Sequence, residues 1–215
     1  MLRLIRRCPE YVAGYREYCR ESYDSGVKYF VPVNPASIDD GWFMRTKPWY
    51  DAKERGEVDG SPRSFHYWEV DGCRFIGEFQ LRTELNEHIM NGIGSVGYAV
   101  RVSEWGRGLG TELLRQGLDI AREHGMHKVL LNINNENAAS IRICEKLGGR
   151  LWDKVEACNR AEGQHHYAKI LDIPVRRGMM AALCSMSNGC VRAAHCWGMR
   201  AILILPCAAG GAVSA

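Results

Sequence analysis

The chain has 215 residues, of which 46% are hydrophobic and 25% charged, and a formal net charge of +3. A chain of this length can bury one sizeable core and needs no second domain. Acidic and basic residues nearly balance over residues 1–172, which argues against a nucleic-acid-binding face. The most apolar run, AILIL at 201–205, stops at Pro206, well short of the roughly 20 residues of a membrane span. We therefore expect a soluble protein without a nucleic-acid or membrane partner.

The N-terminal part of the chain is typical of helices. Apolar residues at helical spacing after Pro9 predict an amphipathic helix over about 9–23. Ser37 and Asp40 stand at the spacing of a capping box, which predicts that a second helix begins here. We expect this helix to bend or end at Pro48, because proline has no backbone N–H to donate.

The middle of the chain changes to β-rich sequence. Two such runs, at 64–70 and 73–84, flank the turn pair Asp71-Gly72 and predict an antiparallel hairpin. A third strand is expected at 95–102. The glycine-containing segment that follows leads into a helix with an apolar stripe, which we expect to end at Gly125.

The next elements complete a sheet. The short apolar run 128–134 predicts a buried strand, and a short helix should begin at the cap residue Asn137 and end at Gly148-Gly149. Two further strands are expected at 150–157 and 165–173. This order predicts an α+β fold, with a central mixed, mostly antiparallel sheet flanked by helices.

Residues 173–215 differ from the body of the chain. All 25 acidic residues precede position 173, whereas the segment after it carries four arginines and no acid. We interpret it as an atypical tail, either disordered or added by read-through or a frame change. The alternative is a small helical or interface segment. The spacing of its cysteines and histidine matches no common metal-ligand pattern, so we expect no metal site.

Cysteine usage indicates the compartment. The nine cysteines are an odd number and include no Cys-x-x-Cys pair, and the charged N-terminus does not resemble a secretory leader. The sequence therefore predicts a reducing, cytoplasmic setting.

The segment EWGRGLGTELL (104–114) places three glycines directly at the start of a predicted helix: Gly106, Gly108 and Gly110. Each costs roughly 1 kcal/mol of helix propensity relative to alanine, so another role must favour it. Bare backbone N–H groups beside the positive end of a helix dipole bind phosphate oxygens well. The alternative is a tight structural turn. The ending Gly-Lys-Ser/Thr of a P-loop is absent, and Thr111 and Leu113 stand where a dinucleotide site would need glycine.

Two motifs resemble those of the GNAT acetyltransferase family. GYAVRVSEWGRGLGTELL (97–114) is similar to its acetyl-CoA segment, a strand followed by Gln/Arg-x-x-Gly-x-Gly/Ala. NENAASIRICEKLGG (135–149) is similar to its second signature, in which Asn and Ser begin a helix that ends Tyr-Glu-Lys-x-Gly-Phe. The order of elements also matches. The resemblance covers about residues 1–172 and implies a GNAT-type acyl-CoA N-acyltransferase fold for an N-acetyltransferase domain of that extent.

The resemblance also implies acetyl-CoA as cosubstrate and suggests how it is held. The backbone of the glycine segment would bind the diphosphate, a main-chain N–H near Val100 would polarise the thioester, and the second motif would border the pantetheine arm. A plain helix cap would look the same at the second motif. The expected cofactor-binding residues are Val100, Arg107, Gly108, Leu109, Gly110, Thr111, Asn137 and Ser140.

Two residues depart from the family pattern. Trp105 occupies the place of the family's Gln or Arg. Cys144 stands where many relatives have the tyrosine that protonates the departing thiolate. We keep three interpretations open for the proton donor: Cys144 itself, water, or a tyrosine from elsewhere. A buried small residue on an amphipathic helix is the alternative role for Cys144.

A general base is expected on the central strands, because the attacking amine must lose a proton. Alternation places Glu78, Gln80 and Arg82 on one face of the strand. That polar face is either solvent-exposed or the wall of an acceptor pocket. We predict Glu78 as the base, with Glu84 and His66 as second choices. Aromatic residues of the same regions either shape the acceptor pocket or, as we prefer for most, pack in the core: Trp42, Trp49, Tyr50, Tyr67 and Trp68.

These features together predict an acetyl-CoA-dependent N-acetyltransferase. An acetyl group would pass to a primary amine by direct attack, with a small-molecule acceptor favoured over a protein amino group. One alternative is a non-catalytic acetyl-CoA or CoA sensor that kept the cofactor site. Another is a phosphate-ligand binding protein without CoA chemistry. A homodimer is a candidate assembly.

Overall fold

A computed structural model describes residues 1–26, 33–84, 89, 94–134, 136–158 and 165–174, with backbone alone from residue 152 onward. Seven strands and four α-helices lie in this part of the chain. In chain order they are β1 (Leu2–Arg6), α1 (Val12–Asp24), α2 (Trp42–Arg55), β2 (Ser64–Asp71), β3 (Arg74–Arg82), β4 (Val96–Val100), α3 (Leu109–Glu123), β5 (Lys128–Asn134), α4 (Ala138–Lys146), β6 (Arg150–Cys158) and β7 (His165–Pro174).

The strands form two antiparallel sheets that meet at one point. The first sheet has the order β1-β2-β3-β4 and the second the order β5-β7-β6. Ser95, just before β4, joins them, because its N–H donates to the Leu130 carbonyl (3.4 Å) and its Oγ accepts from the Leu130 N–H (3.2 Å). This agrees with the predicted mixed α/β fold, in which a mostly antiparallel sheet is flanked by helices.

Two hydrophobic cores lie on the two faces of the first sheet, and a register shift opposite Glu69 and Val70 changes the alternation along β3 between Phe75 and Gly77. One core packs β3, β4 and β5 against α3 and α4 and includes Phe79 and Leu131. The other packs β2 and β3 against α1 and α2 and includes Trp68 and Phe75. Trp42 is buried in this second core, where Tyr15 stacks on both Trp42 and Trp68. Core packing is therefore the role of these two tryptophans.

The hairpin and the elements from β4 to β7 lie where the sequence predicts them, but two expectations were wrong near the N-terminus. No strand was expected before residue 9, yet β1 pairs with β2 at the sheet edge. The second helix does not begin at Ser37, and it continues past Pro48, where a bend or an end was expected. It begins after Gly41, whose N–H donates to Asp39 Oδ1 (3.0 Å), and Pro48 lies inside it.

The physical reason for the longer helix is tertiary packing. Pro48 is exposed, so the carbonyl that loses its helical partner can bond to water. The Thr46 Oγ1 also donates a hydrogen bond to the Trp42 carbonyl (2.9 Å), in the turn of the helix before the proline. Burial of Trp42 and Phe43 stabilises the helix on both sides of the proline.

The proposed boundary at residue 172 cannot be placed on this structure, because 175–215 lie outside the described residues. The predicted tail at 173–215 therefore stays a prediction. Within the described ranges, no helix is both long and apolar enough to cross a bilayer.

Candidate functional site

The glycines between β4 and α3 serve two different purposes. Gly106 and Gly108 have φ of +78°, a left-handed conformation that side chains disfavour, and a Cβ on either would meet no atom within 4 Å. At Gly110 the packing of α4 limits the space for a side chain, because a Cβ there would lie 3.0 Å from Ile143 Cδ1. Glycine therefore keeps the turn open at two positions and allows α3 and α4 to approach at the third.

The first turn of α3 presents bare backbone N–H groups. Gly108 is the N-cap and offers no side chain to cap the helix. The Thr111 N–H donates back to the Gly108 carbonyl at 3.1 Å. Among the described residues, no protein acceptor lies on the N–H groups of Leu109 and Gly110. Such groups add to the positive end of the helix dipole, and an anion is the ligand that they favour.

This turn forms one wall of a cleft of about 560 Å³, a size that suits a small-molecule ligand. The opposite wall is α4, and the floor is β4. Seven of the eight predicted cofactor-binding residues line it: Val100, Gly108, Leu109, Gly110, Thr111, Asn137 and Ser140.

The exposed edge of β4 faces this cleft. Ser95 and Arg101 bond to β3, since Arg82 N–H donates to the Ser95 carbonyl and Arg101 N–H to the Ile76 carbonyl (2.9 Å). In an antiparallel pair every second residue directs its backbone groups to the neighbouring strand, and the residues between these direct theirs to the other edge. Because Arg101 bonds to β3, its neighbour Val100 directs its backbone groups to the other edge. The Val100 carbonyl accepts from the Trp105 indole N–H (2.8 Å). Trp105, which stands in place of the family's Gln or Arg, therefore lies against this edge.

The N-terminus of α4 contributes the other wall. Asn137 is its cap, because the Asn137 Oδ1 accepts from the Ser140 N–H at 3.1 Å. Both residues line the cleft, and Ser140 is mostly buried. The predicted cap is therefore present, and it lies where a ligand in the cleft would pass.

Arg107 is the predicted residue that does not line the cleft. Its exposed guanidinium pairs with Glu104, and the same carboxylate pairs with Arg74. Glu104 is buried and lines the cleft. The sequence does not indicate this carboxylate, because nothing local shows that two arginines converge on it.

Glu78 lies on β3 beside α1, and Tyr18 connects it to the cleft. The Tyr18 hydroxyl donates to Glu78 Oε1 at 2.9 Å, and Tyr18 itself lines the cleft. Burial raises the pKa of Glu78 to about 7, although the Tyr18 hydrogen bond and the nearby Arg7 charge oppose that rise. A carboxyl with this pKa can exchange a proton near neutral pH.

The two second choices for the base lie elsewhere. Glu84 is exposed and accepts from the Arg63 N–H at 3.3 Å. His66 is 3.1 Å from Gln80 Nε2, and burial lowers its pKa well below the usual value. Like Glu78 itself, neither residue is among those that line the cleft, and neither is in contact with Tyr18 as Glu78 is.

Cys144 is fully buried in the core below α4 and does not line the cleft. Burial raises the pKa of its thiol far above the usual value. Its neighbour is Tyr98 of β4, a cleft-lining residue that the sequence analysis did not select. The signal available was alternation, which places Tyr98 and Val100 on the same face of β4.

Comparison with known proteins identifies similar sequences and folds. A sequence model of one family, described as the acetyltransferase (GNAT) domain, matches residues 10–150. The mycothiol acetyltransferase of Streptosporangium roseum is 44% identical over 63 residues, 28% of this chain and 18% of that protein. The chain thus matches less than a fifth of that relative's length.

Two solved structures resemble the fold at low sequence identity. Mycobacterium smegmatis RimJ in complex with CoA-disulfide has a TM-score of 0.64 at 15% identity, over 80% of this chain and 81% of that one. The microcin C7 self-immunity acetyltransferase MccE, in complex with acetyl-CoA and AMP, has a TM-score of 0.61 at 11% identity, over 80% and 92%.

Proposed function

The chain belongs to the GNAT acetyltransferase family, and on this premise we propose that it transfers the acetyl group of acetyl-CoA to a primary amine of a small molecule. The predicted family, fold, enzyme class and cosubstrate are confirmed at the level of the family. The acceptor and the role of each residue are the subject of the proposal.

The turn before α3 would hold the CoA diphosphate. The left-handed Gly106 and Gly108 leave open space beside the backbone. The N–H groups of Leu109 and Gly110 have no protein acceptor among the described residues and would donate to the diphosphate. Two charge-assisted hydrogen bonds of about 1.5–3 kcal/mol each would form there. Arg107 would add its charge once it leaves Glu104.

The acyl end of the cosubstrate would lie along β4. Val100 directs its backbone groups to the edge of β4 that is not bonded to β3. Its N–H would polarise the thioester carbonyl, while Asn137 and Ser140 border the pantetheine arm from α4. The protein would thus position the thioester, and position alone supplies a large part of the rate in a direct transfer.

Glu78 would remove the proton from the attacking amine. An alkyl ammonium is mostly protonated at pH 7, so it needs a base whose pKa is near that pH. The raised pKa of Glu78, about 7, and its contact with the cleft residue Tyr18 support this role. Cys144 is one of the three proton donors that the sequence leaves open, and its buried position leads to the inference below.

One observation carries the proposal: a cleft of ligand size lies between the first turn of α3 and the N-terminus of α4, over the edge of β4. The small-molecule acceptor and a cytoplasmic location rest on the sequence. A CoA sensor without turnover is the second candidate, because Cys144 replaces the family's proton-donating tyrosine.

Two measurements on the purified chain test the proposal. Thermal unfolding with acetyl-CoA, CoA or ATP should show stabilisation by the first two, about 2.7 kcal/mol at 100 times the dissociation constant. Release of free thiol across a panel of small amines and peptide N-termini should then identify an accelerating small amine. Tight acetyl-CoA binding without acceleration by any amine would favour the sensor, and acceleration only by peptides would overturn the small-molecule acceptor.

A further inference from the structure

Tyr98 carries a buried hydroxyl whose polar neighbours, Ser140 and Cys144 of α4, make no hydrogen bond of ordinary geometry with it. The residue is 5% exposed, and its Oη makes no hydrogen bond of ordinary geometry within the described part of the chain. Buried side-chain polar atoms are nearly always bonded, so an unbonded one needs a specific explanation. An unbonded donor beside a ligand cleft is explained by a bond that forms when the ligand is present.

The position of the hydroxyl connects Tyr98 with the place of the family's tyrosine. The Tyr98 ring lines the cleft. The hydroxyl lies beside Ser140 and Cys144 of α4. Position 144 is where the family motif places its tyrosine. The Tyr98 hydroxyl therefore lies close to this position, although Tyr98 belongs to strand β4 and not to helix α4.

We infer that the Tyr98 hydroxyl donates the proton that the CoA thiolate takes up as it leaves. The inference deepens the proposed function and rests on it. The amine nitrogen forms a bond to the acetyl carbon and gives one proton to the Glu78 carboxylate, and the carbon–sulfur bond breaks. The sulfur then takes the Tyr98 proton. Glu78 loses its proton to solvent and the Tyr98 phenolate regains one, so the net products are the acetylated amine and the free thiol.

Tyr98 suits this role better than Cys144 for two reasons. A phenol is a stronger hydrogen-bond donor than a thiol. The Tyr98 side chain reaches the cleft, whereas Cys144 is fully buried behind it. Burial raises the pKa of the Tyr98 phenol well above its usual value, so the hydroxyl carries its proton at neutral pH before the reaction.

The Tyr98→Phe variant tests the inference because it removes only the hydroxyl. Since this hydroxyl has no ordinary hydrogen bond, the variant should fold with an unchanged melting temperature. We expect kcat to fall about 100-fold, the contribution typical of a general acid, with the KM for acetyl-CoA within twofold of wild type. Tyr15→Phe is the matched control, since Tyr15 is equally buried but lies in the core under α1 and does not line the cleft. It should keep its kcat.

Further variants distinguish the competing outcomes. Replacing Tyr98 with 3-fluorotyrosine keeps the hydroxyl, and kcat should stay within threefold of wild type. If this variant lost as much kcat as Tyr98→Phe, the defect would come from the change to the ring and the inference would be overturned. A Tyr98→Phe enzyme with wild-type kcat overturns the inference, and a loss confined to Cys144→Ala would return the role to Cys144. If the wild-type chain acetylates no amine, the proposed function itself fails first.

Discussion

Replacing Gly108 with valine separates the ligand role of the turn from its structural role. Gly108 has φ of +78°, and a Cβ there would meet no protein atom within 4 Å. The variant therefore suffers backbone strain without a clash. Its new side chain would stand in the space that the proposed diphosphate occupies.

The two effects differ in size. A left-handed conformation costs an L-residue roughly 1–2 kcal/mol, which a domain stable by about 5–15 kcal/mol tolerates. Loss of the hydrogen bonds from Leu109 and Gly110 to phosphate would cost about 3–6 kcal/mol of binding free energy. Each 1.4 kcal/mol is a factor of ten, so we expect CoA affinity to fall at least 100-fold while unfolding stays cooperative.

Gly125 provides a control with the same backbone strain. It has φ of +76° at the other end of α3, a Cβ there would also meet nothing, and it does not line the cleft. Calorimetric titration with CoA and urea unfolding should show equal destabilisation in Gly108→Val and Gly125→Val, with binding lost only in the first. Equal CoA affinity in the two variants would refute the role of the turn.

Two further predictions concern pH. If Glu78 is the base, kcat/KM should rise with pH through about 7. Tyr18→Phe should move the midpoint of this rise to higher pH, because the hydrogen bond from Tyr18 lowers the pKa of Glu78. Initial rates measured at pH 5–9 test this, and an unchanged midpoint in the variant would contradict the contact. Glu69 is fully buried and neither carboxyl oxygen has a hydrogen-bond partner within the described residues. Burial and the nearby Glu112 raise its pKa from 4.5 to about 8. The folded state thus binds the Glu69 proton more tightly than the unfolded state does. The contribution of this group to the free energy of unfolding, about 4–5 kcal/mol, is fully present below pH 4.5 and is lost as pH rises through 8. Urea unfolding at pH 5 and pH 9 should show a smaller difference for Glu69→Gln than for wild type, and parallel changes would disprove the assignment.

Local signals explain why much of the fold could be predicted. Strand β5 and the β2–β3 hairpin depend on apolar runs and a turn pair that act within a few residues. The edge strand β1 has few such signals, because its pairing with β2 joins residues about 65 apart. The start of α2 was misplaced for the same reason, since the stability of this helix comes from side chains buried against another part of the chain.

The candidate site divides in the same way. The spacing of Gly106 and Gly108 indicates an open turn because positive φ is a property of one residue and its immediate neighbours. Local sequence carries no record of the pair formed by Arg74 and Glu104, or of the Tyr18 hydroxyl on Glu78.

The sequence by itself determined the family, the order of elements and the bare turn before α3, because these depend on short-range patterns. Only the tertiary structure decided that Tyr98 lies beside Cys144, and that a Cβ at Gly110 would lie 3.0 Å from Ile143 of α4. Such contacts arise when strand and helix faces pack together. Their distances depend on residues far apart in the chain, so no local pattern contains them.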